Sequence, residues 1–266
     1  MINNQRRGAI RQIFTSLVIV AGLCWSPVAN AGQIRVAVAA NFLACAEELT
    51  GRFESATGYD VVLSGGSTGR HYAQIQAGAP FDIFLAADDE RPRLLVDEGL
   101  AEADSRFVYA LGKLALWVPD GSPELAADPE TILRDRGLGH LAIANPRLAP
   151  YGEAARQALS RLNLWSEVQS RLVRGQSVGQ AWQFAATGNA GCALVALAQV
   201  RRHGEGRWWE IDPALYDPIA QEAVLLSAAT EPHQARAFLE FLASTEARDL
   251  IEACGYGLPA DPRVVH

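Results

Sequence analysis

Along this chain, short apolar runs rich in β-branched residues take turns with longer stretches in which apolar positions recur every three or four residues. Residues 34–39 (IRVAVA) read as a buried strand, and residues 42–53 as an amphipathic helix. Residues 59–63 predict a second strand and 70–76 a second helix. Residues 81–86 predict a third strand, bounded by Gly78-Ala79-Pro80 and Ala87-Asp88-Asp89. Alternation with such short connections predicts a three-layer α/β sandwich on a largely parallel sheet, whose ligands collect beyond the carboxyl ends of the strands.

The rhythm then breaks and resumes. Residues 107–118 (FVYALGKLALWV) are too long for an ordinary strand and contain Gly112, so they are expected to leave one lobe and enter another. A loop rich in Pro, Gly and Asp follows over 119–128. A second alternating unit comes next, with strands at 140–144 and 192–197 and helices at 151–162 and 177–186. Residues 221–226 are a candidate return strand before two helical stretches, 232–243 and 245–254. A chain that leaves one lobe, builds a second and returns has two crossovers and a cleft, and hinge closure is its expected motion. The expected division is a signal peptide at 1–31, one lobe from 32–111 with 226–266, and the other from 112–225.

Four predicted helix starts open with small or neutral polar residues: Ala40-Asn41, Ser67-Thr68-Gly69, Tyr151-Gly152 and Ser177-Val178-Gly179. A helix N-terminus offers free N–H groups and the positive end of the macrodipole, so it can hold an anion without a cationic side chain. Each start has an ordinary explanation as well. Asn41 and Ser177 are good N-caps, the Gly65-Gly66 turn suits any strand-to-helix connection, and Pro150 sits just before a helix. The Gly-rich turn lacks phosphate-loop spacing, which argues against nucleotide binding.

Charge sharpens the question. The first residues carry Arg6, Arg7 and Arg11, then an apolar core, then Ala29-Asn30-Ala31, which is the plan of a secretory signal cleaved after Ala31. Arg6-Arg7 leaves a twin-arginine route open beside the general one. Cleavage removes three arginines and no acids, so the formal net charge moves from −7 to −10. An acidic surface argues against nucleic acid or anionic membrane as a partner, and it cannot draw in an anion by bulk charge. Cys45, Cys192 and Cys254 remain; one pair is possible, but buried unpaired thiols are the expectation. The histidines and cysteines show no metal-ligand spacing. No Gly-x-Ser-x-Gly, His-Glu-x-x-His or evident Ser-His-Asp set supports a secreted hydrolase.

The stretches VAAN-FL, GGSTG-x-x-YAQI-x-AGAPFDIFLAAD, SRF-x-YA-x-GKLALW, NPRLAPYG, SVGQA and VALAQ resemble periplasmic molybdate-binding proteins, the substrate-binding components of molybdate ABC transporters. The resemblance spans the mature chain. It implies a type II periplasmic-binding fold, with two three-layer α/β/α lobes on crossover hinge strands and a ligand cleft between them. It implies capture of molybdate, and of tungstate, by neutral donors, with the metal reached only through its oxygens, no cofactor, no catalysis, and delivery to a membrane ABC permease by a monomer. Carried over by position, the site falls on Ala40 and Asn41, on Ser67 and Thr68, and on the N–H groups of Tyr151 and Val178. Ala196 stands where many members have a donating Tyr, and the Asn41 amide is the expected substitute. Arg70 is expected to face solvent or an acid, and Lys113 to pair structurally at the hinge. A binding protein for sulfate or a small organic anion is the alternative.

Overall fold

The computed structural model describes residues 32–120 and 128–260. The expected leader and its cleavage point after Ala31 lie outside the described residues, as does most of the loop over 119–128. The strands are β1 Gln33–Ala39, β2 Asp60–Gly66, β3 Ile83–Leu85, β4 Phe107–Gly112, β5 Leu114–Val118, β6 Leu141–Ala144, β7 Leu172–Gly175, β8 Cys192–Ala196, β9 Arg207–Glu210 and β10 Ile219–Leu225. The helices are α1 Leu43–Thr57, α2 Thr68–Gln76, α3 Glu90–Asp97, α4 Pro129–Arg134, α5 Pro150–Arg161, α6 Trp165–Val168, α7 Val178–Ala186, α8 Leu197–His203, α9 Pro232–Leu242 and α10 Thr245–Ala253.

Two five-stranded sheets result, in the orders β2-β1-β3-β10-β4 and β7-β6-β8-β5-β9. Each is mixed: β10 runs antiparallel to both neighbours in the first, and β5 does so in the second. Period-two alternation builds the first sheet's two faces. Ile34, Val36, Val38, Ile83, Leu85, Ala223 and Leu225 pack with α1, α9 and α10, while Ala37, Phe84 and Val224 turn to Ile75 of α2 and Leu95 of α3. Helix α1 buries Cys45, Ala46, Leu49, Thr50 and Phe53, the three-and-four spacing of one face. It ends at Gly58, whose left-handed φ of 75° suits glycine and whose N–H caps the Glu54 carbonyl.

The long apolar run behaves as expected: β4 belongs to the first sheet and β5 to the second, with Gly112-Lys113 at the crossing. Gly112 has to be glycine, because a Cβ there would lie 2.4 Å from the Tyr151 hydroxyl. The expected boundary at 225/226 is corrected. Strand β10 hydrogen-bonds to β3 and β4, so the return to the first lobe precedes Ile219. The expectation of unpaired thiols is also corrected: Cys45 and Cys254 form a disulfide across 209 residues, and among the described residues Cys192 is the one free cysteine, and it is buried. Closing so long a loop stabilises the fold by on the order of 5 kcal/mol in the chain-entropy account. Burial pushes the Cys192 thiol up to about 12, which keeps it inert.

Candidate functional site

The four helix starts meet where the lobes touch. Ala40, at the end of β1, lies against the start of α7: a Cβ on Gly179 would stand 3.6 Å from the Ala40 Cβ. Gly69, in the first turn of α2, donates to the Leu148 carbonyl just ahead of α5 at 2.8 Å. A Cβ on Gly69 would come within 2.9 Å of that carbonyl, so glycine is what permits the approach. Ala39 and Ala87 of the first lobe share one buried cluster with Ala149, Tyr151 and Val178 of the second. Ser67 and Ser177 line one cavity, with Arg70 beside them.

These ends are buried and largely without side-chain caps. Asn41, Ser67, Thr68, Tyr151 and Val178 are all buried. Side-chain capping occurs only at α7, where Ser177 accepts from the Gln180 N–H at 3.3 Å; α1, α2 and α5 have none. Among the described residues, no acceptor answers the backbone N–H groups of Asn41, Thr68, Tyr151 or Val178. Buried helix ends without partners are unusual, because each free N–H removed from water costs free energy unless an acceptor meets it. The N–H of Ala40 is already committed to the Gly66 carbonyl at 2.7 Å, so Asn41 supplies the free donor of that pair. The Thr68 hydroxyl accepts from the Ala87 N–H at 3.0 Å, which leaves its proton free to donate.

Asn41 is no N-cap. Its Nδ2 donates to Gln221 Oε1 at 2.8 Å and to the Tyr256 hydroxyl at 3.3 Å, and Tyr256 donates to the Asn41 carbonyl at 2.7 Å. Tyr109 completes the cluster, donating to the Ala86 carbonyl at 3.0 Å and reaching Gln221 Oε1 at 3.3 Å. In this structure the Asn41 amide, the expected substitute donor, holds the turn from behind. Burial raises the pKa of Tyr109, Tyr151 and Tyr256, so all three remain neutral phenols. Gln221, Tyr256 and Tyr109 escaped the sequence reading. Gln221 beside Glu222 in the apolar run IAQEAVL was the available signal, since a polar residue in a buried strand needs a partner.

Cations stay outside. Among the described residues, no lysine or arginine is buried, and Arg70 is exposed. Lys113 pairs with Glu210 at 3.4 Å, beside the crossing, as its expected structural role requires. Ala196 is fully buried at the end of β8 and offers no side-chain donor. Among the described residues, no group of three His, Cys, Asp or Glu side chains could hold a metal ion. The arrangement can therefore surround a small anion with backbone dipoles and one hydroxyl, drawn from both lobes.

A profile of bacterial extracellular solute-binding proteins matches residues 34–257. The molybdate-binding protein ModA of Azotobacter vinelandii is 46% identical over 233 residues, covering 86% of this chain and 92% of that protein. ModA of Rhodobacter capsulatus is 43% identical, covering 91% and 94%. The solved periplasmic molybdate-binding protein of Azotobacter vinelandii superposes with a TM-score of 0.81 at 40% identity, over 85% of this chain and 99% of that one. A sulfate-binding protein of Mycobacterium tuberculosis shares the fold alone, with a TM-score of 0.71 at 16% identity. The chain belongs to the bacterial extracellular solute-binding proteins, in the group that holds the molybdate-binding proteins.

Proposed function

We propose that this protein binds molybdate, and tungstate by the same chemistry, between its lobes and delivers it to a membrane ABC permease. The observation that carries this reading is the set of buried, unanswered N–H groups at Asn41, Thr68, Tyr151 and Val178, drawn from both lobes. A tetrahedral dianion is the acceptor such a set lacks. The names of the relatives at 46% and 43% identity supply the particular oxyanion. The metal is reached through its oxygens, with no side chain bonded to it and no resident cofactor. The site binds and releases, and no catalytic step is assigned to it. The place of action is the periplasm, after cleavage behind Ala31, and the working form is a monomer.

Calorimetric titration of the mature protein with molybdate, tungstate, sulfate and phosphate tests the reading. Tight heats for the first two and weak or absent heats for the others are expected. Preferred binding of sulfate would replace the ligand while keeping the site; silence with all four would remove the oxyanion reading altogether.

A further inference from the structure

Tyr256 reaches the first anion turn from the far end of the chain. Its hydroxyl donates to the Asn41 carbonyl at 2.7 Å and accepts from Asn41 Nδ2 at 3.3 Å, and its ring meets Phe42 edge-on at 5.3 Å. The turn it touches is closed by Phe42 N–H on the Ala39 carbonyl at 2.8 Å, which places Asn41 third in a four-residue turn. With the Asn41 carbonyl held inward by Tyr256, the turn has one orientation, and the free Asn41 N–H keeps one direction.

What holds Tyr256 is covalent on one side. Cys254, two residues before it, is bonded to Cys45 in the first turn of α1, the helix this turn opens. On the other side, Gly257 exchanges both backbone hydrogen bonds with Leu111 of β4, each 2.8 Å. The disulfide borders a groove of about 390 Å³ that Ala40, Asn41, Tyr256 and Gly179 also line, so a small dithiol has a path to the sulfurs.

We propose that Tyr256 is a positioning residue for the first anion turn and that the Cys45–Cys254 disulfide keeps it there, so the oxidised protein binds its oxyanion more tightly than the reduced one. Two electrons and two protons from an added dithiol would convert the S–S bond to two thiols, the dithiol closing to its own disulfide. Tyr256 would then be held by noncovalent contacts alone: the Gly257 pairing, its own hydrogen bonds and the packing of its ring on Phe42. The proposal rests on the oxyanion reading for its effect on affinity, but its effect on the turn does not depend on any ligand.

The test uses the mature chain, oxidised or treated with dithiothreitol, beside Tyr256→Phe and the double variant Cys45→Ala with Cys254→Ala. Two readouts are taken well below the unfolding temperature: molybdate affinity by calorimetry, and ligand-free hydrogen exchange at Phe42, whose amide closes the turn, and at Ala46, whose amide ties the start of α1 to the Phe42 carbonyl. Tyr256→Phe is expected to lose about tenfold in affinity with its disulfide intact. Reduction is expected to weaken binding severalfold and to speed exchange at both amides, and the double variant should behave like the reduced protein and ignore dithiothreitol. A lower melting temperature with unchanged affinity and exchange would make the disulfide a plain staple and overturn the proposal. If oxidised wild type bound no oxyanion, the functional reading would fall, and exchange alone would decide: unchanged exchange on reduction overturns the proposal, faster exchange upholds it.

Discussion

The Thr68 hydroxyl accepts from the Ala87 N–H while its own proton stays free at the lobe boundary, so a single oxygen serves both fold and ligand. Thr68→Val removes the donor and leaves the buried Ala87 N–H unanswered, at about 1–3 kcal/mol. Both folding stability and oxyanion affinity should fall. Arg70, exposed beside the same turn, should matter far less: Arg70→Ala is expected to change affinity by under tenfold, about 1.4 kcal/mol. Calorimetry on the two variants checks this, and the reverse order would mean that the cage is cationic. One turn further along, His71 is buried, and desolvation lowers its pKa from 6.5 against the opposing hydrogen bond to Gln74. The folded state therefore favours the neutral ring. That stability is fully present above the unfolded value and is lost as pH falls through the lowered one. Denaturant melts should show stability dropping below pH 6.5, and His71→Gln should flatten that part of the slope.

At the scale of elements, the helix starts work only if lobes can approach, and α2 approaches the loop before α5 through Gly69. Gly69→Ala places a methyl group 2.9 Å from the Leu148 carbonyl, a backbone atom with little room to yield. Neither α2 nor α5 depends on that contact for its own packing, so the ligand-free melting point should hold. Affinity should fall by about tenfold or more. A large drop in ligand-free stability with unchanged affinity would remove the lobe contact from the binding mechanism. The same elements show what the sequence could reveal. Strands β1, β4, β5 and β8 were legible as continuous or near-continuous apolar runs, and helices α1, α5, α7, α9 and α10 because each buries a regular stripe. The four starts were legible because helix ends are punctuated locally. Strand β9, with exposed Trp208 between Arg207 and Trp209, carries no such stripe and went unread. The membership of β10 was missed because nothing local states which sheet a returning strand joins. The roles of Asn41, Gln221 and Tyr256 were missed for a related reason: 180 and 215 residues separate Asn41 from its two partners.

For the molecule as a whole, a chain with a formal net charge of −7 cannot hold a dianion by bulk attraction, and among the described residues no lysine or arginine is buried. The attraction must come from dipoles fixed by the fold and shielded from water, where electrostatic interactions are stronger than in solvent. Two consequences separate this arrangement from a cationic cage. Inert salt screens exposed charges within about 10 Å at 0.1 M and buried groups much less. Molybdate affinity should therefore decline only gently between dilute and molar sodium chloride, whereas a pocket relying on exposed arginines would lose it steeply. Ligand binding should also appear as stability, because only the folded, closed protein brings both lobes' N–H groups to one point. Molybdate or tungstate at about a hundred times its dissociation constant should add roughly 2.7 kcal/mol. For a protein of this size that corresponds to a rise in melting temperature on the order of 5–10 °C. Sulfate and phosphate at the same concentrations should move it little. Thermal melts with the four anions, repeated at low and high salt, check both consequences together. Equal shifts with sulfate would show that the donors do not discriminate among tetrahedral dianions, and a molybdate shift abolished by salt would place the attraction on surface charge instead of the helix ends.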